Sequence, residues 1–271
     1  MPPSLINPPP IIPGRRGLLA VATTPAEIPT DWLHGVTFSP ESCAAPVPLP
    51  WVVCESDDLG DPAGPDEAAV WYPIMLRGVY ECSTMGGLDR AERERRARAV
   101  LTTTASHQAE TELADGAASS QGGVPNLILT DDTGWVNTPD ATTGAEPPAY
   151  ALSALEQAMA ECLHGQRGTI HATPAVVALW DAAGLLHMEG ASLVTANDNV
   201  IVAGSGYTAL EDWAYGTGPV FQIRGAATPE GDAVEQTDRA QNTITTWVTQ
   251  PSLVYVSPCC KVAAEVATTS P

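Results

Sequence analysis

The chain has 271 residues and almost no lysine. Lys261 stands alone among twelve basic residues, against 32 acidic ones, for a formal net charge of −20. A surface so poor in cations excludes broad, sequence-independent nucleic-acid binding, which depends on basic groups displacing counterions from phosphates. No apolar run reaches the roughly 18 residues that a membrane-spanning helix needs. The N-terminal MPPSLINPPPIIPGRR is broken by prolines and carries its arginines after the first apolar residues, which does not read as a secretory leader. The expected setting is therefore a reducing cytosol. None of the six cysteines (Cys43, Cys54, Cys82, Cys162, Cys259, Cys260) lies in a CxxC pair, which speaks against a zinc ribbon or a thioredoxin-type site. In that compartment they read as buried thiols. Cys43 and Cys54 flank a proline-rich loop and are the pair suited to cross-link after cell lysis.

Catalytic signatures are equally scarce. There is no Walker A sequence, no GxGxxG and no HExxH. The five histidines (His34, His107, His164, His171, His187) show no ligand spacing. Gly204-Ser205-Gly206 matches only half of a nucleophile elbow and fits the exit of a hairpin better. Asp57-Asp58 and Asp131-Asp132 lack EF-hand spacing. No catalytic residue, cofactor or metal site is nominated, and the chain reads as a non-enzyme.

What is present is architecture. Hydrophobic residues make up 44%, enough for a sizeable core. Residues 1–30 are proline-rich and lack periodic apolar positions, as in an extended arm that gains order by lying on something else. Residues 31–66 stay irregular. AAVWYPIMLRGVYEC, residues 68–82, is β-like. Asp89 and Glu92 form an approximate capping box for a long helix ending at Asp115, with Ala97, Leu101, Ala105 and Ala109 as its inner stripe and Gly116 as its stop. The first turns of this helix hold Arg90, Arg93, Arg95, Arg96 and Arg98. They form either a solvated face with i,i+4 ion pairs or an intersubunit face meeting Glu230, Asp232, Glu235 and Asp238. Asn126–Leu129 is strand-like. A second helix spans residues 149–164 on the stripe Leu152, Leu155, Met159 and Leu163.

Residues 168–207 then read as strand, tight turn, short helix and hairpin. Thr173 is the N-cap, Pro174 the first helical residue and Gly184 the stop. Residues 193–195 and 200–203 pair around Ala196–Asn199. Strands follow at Val220–Arg224, Thr243–Val248 and Ser252–Val256, the last two broken at Gln250-Pro251.

Taken in order, these elements resemble the HK97-type fold of tailed-phage major capsid proteins and encapsulin shells. ASHQAETELADG, residues 105–116, is similar to the end of that family's spine helix. Residues 151–160 with the 168–207 block resemble its axial domain. The resemblance implies an α+β chain. Its parts are an N-terminal arm (1–66), an extended β loop (67–87), a peripheral domain with the spine helix (88–147), an axial αβ domain (148–219), and returning peripheral strands with a C-terminal tail (220–271).

It also implies a shell subunit of a virion, assembled in the host cytoplasm. Its partners are copies of itself in hexamers and pentamers, with portal and decoration proteins, around DNA held without specific binding and with no membrane. The arginine, alanine, glycine and proline bias suits a GC-rich, actinobacterial type of host. Tip loops at Asn197–Asn199 or Tyr207–Gly218 are expected at the symmetry axis. Family members that cross-link covalently use a lysine; only Lys261 offers one here, and no cross-link is predicted. Alternatives are another head–tail or tail protein, an encapsulin shell, or a hydrolase using Ser205.

Overall fold

The computed structural model describes residues 14–38, 69–83, 88–116, 126–131, 136–137, 144–229, 236–238, 240–257 and 260–268. In chain order these form a short helix α1 (Leu18–Val21), then β1 (Val36–Phe38), β2 (Ala69–Trp71) and β3 (Ile74–Ser83). The long helix α2 (Arg90–Asp115) is followed by β4 (Val136–Asn137), α3 (Pro148–Cys162), β5 (Thr169–Ala172) and α4 (Pro174–Ala182). Next come β6 (Leu186–Glu189), β7 (Ser192–Thr195), β8 (Val200–Ala203) and β9 (Trp213–Thr217). The chain closes with β10 (Val220–Arg224), β11 (Thr228–Pro229), β12 (Gln236–Asp238), β13 (Thr243–Val256) and β14 (Lys261–Glu265).

Two cores result. The first lies between α2 and a five-stranded sheet whose centre is β13. β3 pairs antiparallel with β13 along ten residues, Ile74↔Ser252 to Ser83↔Thr243, while β10, β11 and β12 pair with it in turn. Side chains of β3 alternate strictly. Leu76 is buried, and Met75, Arg77, Val79 and Glu81 are exposed, so one face packs on the helix and the other stays open. Gly78 lies where the strand meets α2 most closely: a Cβ there would collide with the Ala97 carbonyl and with Leu101.

Helix α2 forms as its capping residues dictate. The Asp89 carboxylate accepts from the Glu92 N–H, and Gly116 ends the helix in the left-handed region, its N–H bonded to the Glu112 carbonyl. Ala97, Leu101, Ala105 and Ala109 are all buried. The three alanines are small enough to let the sheet approach the helix closely.

The second core lies within a seven-stranded sheet ordered β4-β14-β9-β5-β8-β7-β6, with α3 and α4 packed on it. Leu152, Leu155, Met159 and Leu163 are buried there as the helical stripe requires, and Trp180 is completely enclosed. Burying one such large apolar side chain contributes about 1.5–3 kcal/mol. The Trp180 indole N–H donates to the Pro148 carbonyl and so ties α4 to α3. Thr173 caps α4 by accepting from the Val176 N–H, with Pro174 in the first turn.

Four expectations are corrected. Asn126–Leu129 is irregular chain running into a turn at Leu129-Thr130, not a strand: Leu129 and Thr130 donate backbone bonds to the carbonyls of Leu113 and Ala114 at the end of α2. Thr243–Val256 is one strand, not two. Pro251 is tolerated because its carbonyl accepts from Gly225 N–H, so its nitrogen faces the gap between β10 and β11, where no strand asks for a donor. The hairpin has a third strand, β6, paired with β7. Lys261–Glu265, expected in a C-terminal tail beside the peripheral strands, is instead β14, inserted between β9 and β4 of the second sheet.

Candidate functional site

The two cores meet at a junction built from α2, the segment leading into α1, and the chain leaving β8. Glu110 is its hub. The residue is 1% exposed, and its carboxylate accepts from the Leu18 N–H at 2.9 Å, the Gly206 N–H at 2.8 Å and the Ser106 hydroxyl at 2.8 Å. Ser106 in turn accepts from the Leu19 N–H. The first amides of α1 have no partner within that short helix, and side chains of α2 supply the acceptors. Gly206 packs so tightly on α2 that a Cβ there would strike the His107 carbonyl. One buried carboxylate thus joins the N-terminal segment, the long helix and the seven-stranded sheet.

A second link runs beside it. His171 on β5 is fully buried. Its Nδ1 lies 2.7 Å from the Tyr207 hydroxyl and its Nε2 3.0 Å from Thr217 Oγ1. Burial lowers the histidine pKa from 6.5 to about 3 and raises that of Tyr207 well above 10, the nearby Glu110 charge adding to the latter. The phenol therefore keeps its proton and donates to Nδ1, the imidazole donates from Nε2 to Thr217, and Thr217 donates to the Gly218 carbonyl. This neutral chain fastens β5, β9 and the turn after β8.

At the open side of the junction is a cleft of about 500 Å³ lined by Arg15, Arg16, His107, Asp181 and Ser205. His107 Nδ1 is 3.2 Å from Ser205 Oγ. The arrangement lacks the logic of a hydrolase: Glu110 contacts the serine at 3.4 Å and the Gly206 amide, whereas a triad acid orients the histidine's other nitrogen. Among the described residues no group of three or more His, Cys, Asp or Glu side chains is placed to hold a metal ion. No helix among them is long and apolar enough to cross a membrane.

No protein-family model matches the sequence, and no curated protein matches it either. Solved structures do match in fold. The capsid of an empty GTA particle gives a TM-score of 0.55 at 12% identity, over 98% of this chain and 95% of that one. A chain of Gordonia phage Cozz gives 0.54 at 12% identity, over 92% and 85%. A chain of Mycobacterium phage Ogopogo gives 0.53 at 10% identity, over 98% and 97%. The chain has the HK97-type fold.

The arginines at the head of α2 are used within the chain. Arg90 pairs with Glu94 at 2.8 Å, and Arg95 and Arg96 both pair with Glu92. Arg95 first, then Arg96, holds the Glu92 carboxyl down to about 2. Arg96 also donates to the Tyr80 hydroxyl on β3, Arg93 to the Leu88 carbonyl, and Arg98 to the Ala227 carbonyl before β11. Arg96 and Arg98 stitch the helix to its own sheet. Asp238 lies in β12 opposite Thr243; Glu230, Asp232 and Glu235 lie outside the described residues, as do Cys43 and Cys54.

Of the expected tip loops, Asn197 and Asp198 are exposed and Asn199 is buried; in the 207–218 segment Thr208, Ala209, Glu211 and Asp212 are exposed, while Tyr207, Leu210 and Thr217 are buried. Sequence reasoning missed Glu110, His171 and the Cys162–Cys260 disulfide. The signal available for Glu110 was its place beside Ala109 and Leu113 on the inner stripe of the helix. For the other two no local pattern exists.

Proposed function

We propose that this chain is a structural subunit of a closed protein shell, the major capsid protein of a tailed phage, and that it works by assembly rather than catalysis. One observation carries the reading: the likeness to the GTA capsid extends over 98% of this chain and 95% of that one. The spine-helix body is the peripheral region, and the seven-stranded body is the axial region that gathers at symmetry axes with its Asn197–Asp198 turn. Copies of the chain are its main partners, in closed point-group symmetry. Portal and decoration proteins complete the particle. Net charge of −20 suits a container wall to which a packaged genome does not adhere. Arg90 and Arg95, with side chains 49% and 65% exposed, are the arginines of the spine helix best able to add contacts to a neighbour, with the acidic residues 230–238 as their counterpart. The particle forms in the host cytoplasm and ends in the virion.

The test is expression of the full chain followed by negative-stain microscopy of the size-exclusion peak. Icosahedral shells support the reading. Tubes or rings favour another virion component. Shells that retain an enzyme in place of nucleic acid favour a storage compartment.

A further inference from the structure

Cys162 and Cys260 are joined in the structure, with Cα atoms 5.4 Å apart and a sequence separation of 98 residues. That separation of Cα atoms is ordinary for a disulfide and asks for no backbone movement. Cys162 ends α3, and Cys260 immediately precedes β14. The pair therefore links the C-terminal strand covalently to a helix of the second core. Cys260 is 1% exposed, while Cys162 is only partly buried. Cys82, free and on β3, belongs to the other sheet.

We propose that Cys162–Cys260 is an oxidation site that closes after assembly and locks β14 into the axial sheet. The chain folds with both cysteines as thiols in a reducing cytosol, and the bond forms when the particle reaches an oxidising medium. This timing rests on the shell reading; the lock itself does not. Strand β14 gains most from such a lock. It is the last element of the described fold, yet it sits inside the sheet between β9 and β4 and buries Val262, Ala263 and Ala264. Fraying of this end would open the second core, and a staple at the residue before β14 anchors the strand's entry, so that detachment starting at the chain end stops at the strand's root.

A low-molecular-weight disulfide is the oxidant. The Cys162 thiolate, the more accessible of the two, attacks one of its sulfurs. That S–S bond breaks, one small thiolate leaves and takes up a proton, and a mixed disulfide remains on Cys162. Cys260 then gives up its proton, its thiolate attacks the Cys162 sulfur, and the second small thiol departs. Two electrons and two protons pass from the protein to the small disulfide, which ends as two thiols.

The full-length protein is alkylated with N-ethylmaleimide at lysis, or first incubated with oxidised glutathione, and then digested without reductant for mass spectrometry. The expected result is alkylated Cys162 and Cys260 at lysis. After oxidised glutathione, a linked Cys162–Cys260 peptide appears, lighter by two hydrogens than its free thiols. The unfolding midpoint rises on the order of 10 °C, as closure of a loop of this length implies. Neither C162S nor C260S shows the rise, and both unfold near the reduced wild type. The proposal falls if the two cysteines stay alkylatable after oxidised glutathione, if Cys162 links to Cys259 or another cysteine, if the bond is already present at lysis, or if the midpoint does not move. Micrographs of the same samples separate the two ideas. A linked, stabilised chain that forms no particles leaves the lock standing and sinks the shell reading, whereas particles without the link do the opposite.

Discussion

Acid should loosen this protein at one identifiable place. His171 has its pKa lowered from 6.5 to about 3 because burial penalises the charged ring. The unfolded chain takes up this proton near pH 6.5, whereas the native chain holds it off until about pH 3. Across that window the unfolded state binds more protons. The stabilisation is therefore complete above pH 6.5 and is lost as pH falls. At pH 5, which is 1.5 units below the unfolded value, the loss at about 1.4 kcal/mol per unit is about 2 kcal/mol relative to pH 8. That corresponds to a fall of roughly 4–8 °C in melting temperature. Carboxylates elsewhere also titrate toward acid, so the comparison is with H171Q, whose amide can accept from Tyr207 and donate to Thr217 but does not ionise. Denaturant unfolding of both proteins at pH 8 and pH 5 isolates the histidine. The wild type should lose about 2 kcal/mol more than the variant between the two pH values. Equal losses would refute the claim that a neutral imidazole bridges β5 and β9.

Other consequences are simpler to check. Replacing Glu110 with alanine leaves the Leu18 and Gly206 amides without their acceptor and should cost about 2–3 kcal/mol, with hydrogen exchange at those two amides accelerating before exchange elsewhere. Gly78→Ala drives a methyl group into the Ala97 carbonyl and Leu101 and should lower the melting temperature by roughly 5–10 °C, whereas Gly14→Ala, with no atom within 4 Å of a Cβ and no left-handed backbone, lacks this clash. Arg95→Ala removes one exposed ion pair and should leave the melting temperature unchanged within scatter, while raising the Glu92 pKa measured by NMR titration.

The sequence was legible wherever structure is decided within a few residues. Asp89, Gly116, Thr173 and Pro174 mark helix ends by local hydrogen bonding and φ preference, and each acts as its chemistry predicts. The stripe from Ala97 to Ala109 and that from Leu152 to Leu163 face their cores for the same reason. It was illegible where partners are distant. Pro251 looks like a break until β10 and β11 are seen to leave a gap opposite its nitrogen. Strand β14 is a short KVAAE segment whose place is set by β9, some 45 residues earlier in the chain. Asn126–Leu129 has β-forming composition, yet the end of α2 captures the Leu129 and Thr130 amides first. Glu110 is the instructive miss. A carboxylate on an apolar stripe looks like a solvated residue until the amides of two remote segments converge on it.

The central claim is that this chain's work is to assemble with copies of itself, and particle mass tests it most directly. Light scattering on the freshly purified full-length chain, read together with electron micrographs of the same fraction, should show closed shells built from many copies of the 28.3 kDa subunit. A single species at the mass of one subunit, persisting across protein concentration and ionic strength, would contradict the account.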